Sequence, residues 1–65
     1  MASVPIRAMI VEDQALYREL LKTSLRNVDV IDVVGAWDSG QAALADFEQY
    51  QPDVVLMDID SYIPR

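Results

Sequence analysis

The apolar positions change rhythm several times along the chain, and each change predicts an element. Ile6 to Val11 is a short, mostly apolar run broken by Arg7, bounded by Pro5 before it and by the acidic pair Glu12-Asp13 after it, which predicts a strand. From Gln14 to Arg26 the residues Leu16, Leu20, Leu21 and Leu25 recur at helical spacing. Asp13 is the candidate cap of this amphipathic helix, and Arg26 stands near its negative C-terminal end. Val30 to Val34 is β-branched except for Asp32 and closes on Gly35, the mark of a second strand. Asp38 with Gln41 three residues later resembles a capping box, and Ala43, Leu44 and Phe47 then share one face of a second helix running to about Tyr50. Pro52 stops that helix, because proline lacks the backbone donor and pushes its predecessor out of the helical region. Val54-Val55-Leu56-Met57 is an unbroken apolar run between Asp53 and Asp58, as expected of a strand buried on both faces in a parallel sheet.

Strands alternating with helices predict an α/β chain with a parallel sheet, and right-handed crossovers put the carboxyl ends of the three strands on one edge. Open α/β sheets bind ligands at that edge, and the chain delivers Glu12, Asp13 and Asp58 to it. If the first and third strands are neighbours, Asp13 and Asp58 lie side by side with Glu12 close by. Carboxylates gathered so closely raise one another's pKa, and a bound cation relieves the repulsion. Hard oxygen ligands favour Mg²⁺, which keeps several waters and takes one or two protein carboxylates plus phosphate oxygens. A carboxylate can also be the nucleophile that accepts a phosphoryl group, and Asp58, at the end of a buried strand, is the best placed candidate. Each residue also has a plainer reading. Glu12 and Asp13 can be acids favoured at a helix N-terminus; Asp58 can be an ordinary carboxylate after a strand, and Asp60 a turn residue. Trp37 and Tyr62 are read as packing residues rather than as a partner surface.

Four stretches now carry a resemblance: Ile10-Val11-Glu12-Asp13; Gly35-Ala36 with Ser39-Gly40-Gln41-Ala42-Ala43-Leu44; Pro52-Asp53-Val54-Val55-Leu56-Met57-Asp58; and Asp58-Ile59-Asp60. In order and spacing they resemble the receiver domains of two-component response regulators. The resemblance implies a truncated doubly wound parallel sheet, β-α-β-α-β with strand order 2-1-3, the first part of a flavodoxin-like fold whose full order is 2-1-3-4-5. It implies that Asp58 accepts a phosphoryl group from a histidine kinase, that Glu12, Asp13 and Asp58 hold Mg²⁺, and that Asp60 offers its backbone carbonyl to the metal. Residues 1–65 are then expected to be an incomplete receiver, because the family's fourth-strand hydroxyl, fifth-strand lysine and aromatic switch residue lie outside this sequence. Without two of its partners the phosphoryl group is expected to transfer inefficiently. Where receivers commonly read Asp-Ile-x-Met-Pro, this chain reads Asp58-Ile59-Asp60-Ser61-Tyr62-Ile63-Pro64, with the proline two residues late, which puts the loop that carries the Asp60 carbonyl in question.

Composition narrows the partners. Five basic against eleven acidic residues give a net charge of −6, the wrong sign for phosphate backbones or an anionic membrane surface. No apolar stretch is long enough to span a bilayer, no signal sequence is evident, and there is no Cys, so a cytoplasmic location is expected. A chain of 65 residues without disulfides is also short of core, so it needs a metal or a partner. With only three strands the third becomes an apolar edge, and the chain is expected either to form a homo-oligomer through it or to stay largely unfolded. The leading reading is a regulatory phosphoacceptor rather than an enzyme, with Ala36 to Leu44 resembling regulators that carry a helix-turn-helix output domain. The alternatives are a self-association module never phosphorylated on Asp58 and, more weakly, a Mg²⁺-dependent phosphatase half-site.

Overall fold

The structure, a computed structural model, describes residues 4–58. In chain order these form β1 (Ile6–Glu12), α1 (Ala15–Arg26), β2 (Ile31–Trp37), α2 (Gly40–Tyr50) and β3 (Val54–Asp58). The three strands make one parallel sheet in the order β2-β1-β3, as the alternation and the resemblance imply. β1 is the central strand, and its residues Ala8 to Glu12 are buried. Successive strand side chains point to opposite faces. Met9 and Val11 therefore face one way, where they form the core with Ala43 of α2, while Ala8 and Ile10 face the other.

Several boundaries differ from the pattern-based expectation, each for a local reason. The cap of α1 is not Asp13: Gln14 occupies the N-cap position in an extended conformation and makes no side-chain cap bond. The α2 cap is Ser39 rather than Asp38, its Oγ accepting from the Ala42 N–H at 3.1 Å. β2 does not close on Gly35 but runs through it to Trp37, because a register shift opposite Ala8 and Met9 leaves Val34 as an extra residue. The bulge brings Gly35 opposite Met9 and Trp37 opposite Val11. The indole of Trp37 lies back over Gly35, where an added Cβ would come within 2.5 Å of it. Its Nε1–H donates to Asp46 Oδ2 at 2.8 Å, and its ring meets Tyr50 edge-on at 5.2 Å. Trp37 is thus a packing residue, as read from the sequence.

The leucines of α1 divide. At about 100° per residue Leu16 and Leu25 lie on opposite sides of a helix; Leu21 and Leu25 are half-buried, whereas Leu16 is 69% exposed and Leu20 is exposed as well. At the opposite end of the sheet from the acids, Arg7 ties α2 down. Its guanidinium donates to the carbonyls of Tyr50 and Gln51, and its backbone exchanges hydrogen bonds with Asp53. These contacts hold Gln51 in the left-handed conformation (φ 46°) that ends the helix. β3 is an edge of the three-stranded sheet, as expected of a third strand with no neighbour beyond it, but it is not buried on both faces: every residue in it is exposed, Met57 by 58%. α2 leaves part of this strand uncovered, and a groove of about 390 Å³ runs between them, lined by Met9, Val11, Phe47, Val55 and Met57 among others.

Candidate functional site

Parallel pairing brings the ends of β1 and β3 together at the carboxyl edge, and the register sets Glu12 directly opposite Asp58. It is Glu12, rather than Asp13, that is paired with Asp58 across the sheet. Glu12 belongs to the Ala8 and Ile10 face, so its side chain turns toward α1, and with only 2% of its surface exposed it is the sole buried charged residue among those described. Glu12, Asp58, Gln14 and Tyr17 line a pocket of about 220 Å³. Asp13 is exposed and outside this lining, but its carboxyl is close enough to perturb Glu12.

Glu12 is held from several sides. Its Oε1 accepts from the Gln14 backbone N–H at 3.0 Å, and its backbone carbonyl accepts from Arg18 Nη1 at 2.9 Å. Burial pushes the Glu12 carboxyl above its ordinary pKa; the nearby Asp58 and Asp13 carboxyls push the same way, against the Gln14 N–H, which favours the ionised form. Among the described residues no group of three or more potential ligands is gathered closely enough to hold a metal on its own, so the three-carboxylate cluster expected from spacing is here a facing pair with a third acid alongside. The Asp60 carbonyl and the late proline fall outside the described residues. Gln14, Tyr17 and Arg18 were not singled out from the sequence. Helical spacing was the available signal, since three or four residues place Tyr17 and Arg18 one turn beyond Gln14.

The family model for the response regulator receiver domain matches residues 8–61. The chain belongs to the response-regulator receiver family. This receiver is 43% identical over 61 residues to a protein-glutamate methylesterase/protein-glutamine glutaminase of Symbiobacterium thermophilum, covering 94% of this chain and 16% of that protein. It is 39% identical over 54 residues to the protein of the same name from Trichodesmium erythraeum, covering 83% of this chain and 15% of that one. It is also 41% identical over 54 residues to the response regulator GacA of Pseudomonas viridiflava, covering 83% of this chain and 25% of the regulator. The receiver therefore spans only about a sixth to a quarter of the length of these relatives, and no solved structure matches it. Receivers are phosphoacceptor modules of two-component signalling, phosphorylated by histidine kinases. In this receiver no helix among the described residues is long and apolar enough to cross a membrane.

Proposed function

We propose that Asp58 is the phosphoacceptor of this receiver and that Glu12, Asp13 and Asp58, with the backbone carbonyl of Asp60, hold Mg²⁺ beside it. The observation that carries this is the facing of Glu12 and Asp58 in one pocket at the carboxyl edge of the sheet. An Asp58 carboxylate oxygen attacks the phosphorus of a phosphohistidine; the new P–O bond forms as the P–N bond breaks, and the imidazole leaves with the electron pair and takes up a proton. The donor set fits the cation: Mg²⁺ keeps several waters and uses one or two protein carboxylates, the number that line the pocket. The Asp58 and Asp13 carboxylates, which add to the effect of burial in raising the Glu12 pKa, favour a divalent ion there. When bound, the ion neutralises charge on the transferring phosphoryl oxygens.

The test is beryllofluoride, a phosphoryl mimic, followed by fluorine NMR with this chain and Mg²⁺. A bound signal that needs Mg²⁺ and disappears in Asp58→Asn is the expected result. A signal retained in Asp58→Asn, or none from the folded wild-type chain, would overturn the assignment. A histidine kinase is the proposed donor, the cytoplasm the proposed location of this receiver, and phosphoacceptance rather than catalysis on a separate substrate the proposed role.

The exposure of all five residues of β3 favours a second property, homodimerisation through that edge. Two copies related by a twofold axis would pair their third strands antiparallel and extend the sheet. Sedimentation equilibrium on the folded chain should return twice the chain mass; a compact species of one chain mass would refute the pairing.

A further inference from the structure

Two of the four residues that line the acidic pocket, Gln14 and Tyr17, have no part in the reading above. We propose that the Tyr17 ring is a wall of the phosphoryl pocket that slows exchange between the group seated on Asp58 and solvent; this rests on Asp58 being the acceptor. Long side chains of a helix point back toward its N-terminus and cover the turn before their own Cα. Tyr17 lies in the first turn of α1, three residues after Gln14, so its ring leans over the Gln14 turn, beside the pocket it lines. That turn is pinned to the strand end by the bonds from the Gln14 N–H and the Arg18 guanidinium to Glu12, so the wall has a fixed place. Tyr17 is 51% exposed, one side turned to the pocket and the other to water.

The chemical consequence concerns the lifetime of the acyl phosphate. In its hydrolysis a water oxygen forms a bond to phosphorus while the bond from phosphorus to the Asp58 oxygen breaks; the Asp58 carboxylate leaves, and the water protons pass to phosphate and solvent. An aromatic wall removes water from one side of that centre. Tyr17 therefore acts on persistence of the signal, not on whether Asp58 can accept it.

The same fluorine NMR experiment on the full chain, with Mg²⁺ and beryllofluoride as the probe, reads the exchange rate of the bound mimic. Tyr17→Ala should release it about two- to tenfold faster, the range one aromatic contact supplies. Tyr17→Phe should match wild type, and Tyr17→Trp, with a larger ring, should exchange more slowly. A merely packing Tyr17 would change melting temperature and leave exchange alone. Equal exchange in wild type and Tyr17→Ala overturns the proposal, as does Tyr17→Phe exchanging as fast as Tyr17→Ala. If Tyr17→Ala does not fold, the Tyr17→Trp arm decides, and exchange no slower than wild type refutes the wall. Absence of any bound signal in wild type instead removes the Asp58 assignment, and the Tyr17 proposal with it.

Discussion

Gly35 carries a stability prediction that follows from one contact. In Gly35→Ala the new Cβ would stand 2.5 Å from the far edge of the Trp37 indole, closer than two carbons can approach, and the ring would have to move. Its room to move is limited, because Nε1 is bonded to Asp46 and the ring meets Tyr50. The φ of Gly35 is not positive, so alanine brings no backbone strain there. Overpacking of this kind costs about 1–3 kcal/mol, and a displaced indole loses a hydrogen bond contributing about 0.5–1.5 kcal/mol. Alanine returns about 0.4–1 kcal/mol by restricting the unfolded chain. The expected net loss is about 0.5–4 kcal/mol. Trp37→Leu removes the obstacle, so in that background Gly35→Ala should cost nothing or stabilise slightly. Urea unfolding of the four chains, followed by far-ultraviolet circular dichroism, measures the coupling. With a slope near the low end expected of so small a chain, about 1 kcal/mol/M, the Gly35→Ala midpoint should fall by about 0.5–4 M. An equal cost in both backgrounds would show that the indole contact is not the reason.

Two further outcomes are expected. Glu12→Gln keeps the acceptor for the Gln14 N–H but removes a charge whose folded pKa is raised by burial and by its acidic neighbours. A raised folded pKa means that the folded state binds the proton more tightly, so the native Glu12 favours folding below the ordinary value of 4.5 and loses that contribution as pH rises through the folded pKa. Glu12→Gln should therefore raise the melting temperature at pH 7 and lose this advantage below about pH 4.5; a melting temperature unchanged at both pH values would contradict the linkage. Ser39→Ala should destabilise the chain by about 0.5–2 kcal/mol, whereas Asp38→Ala should cost little, since Ser39 makes the cap bond. Urea midpoints in the reverse order would return the cap to Asp38.

The alternation of strand and helix was legible because each rhythm reports a different backbone. Ile6 to Val11, the proline stop at Pro52 and the run Val54 to Met57 each predicted an element at or within one residue of where it lies. The acids of the site were legible for a similar reason: parallel strands must end on one edge, and Glu12, Asp13 and Asp58 are the residues at those ends. Periodicity does not carry register, caps or coverage. Which of Glu12 and Asp13 faces Asp58 depends on inter-strand pairing, where a shift of one residue exchanges the two faces. Ser39 rather than Asp38 is the cap because its Oγ is the one that accepts from the Ala42 N–H at the helix start. The bulge at Val34 is decided by packing, because only with the extra residue does Trp37 reach the face of Met9 and Val11, where Gly35 leaves room for its ring. The sequence by itself thus determined the order of elements and the acidic edge, which depend on local propensity and strand direction. Only the tertiary structure decided that Glu12 is the buried partner of Asp58 and that Tyr17 lines their pocket, because both follow from contacts between segments far apart in the chain.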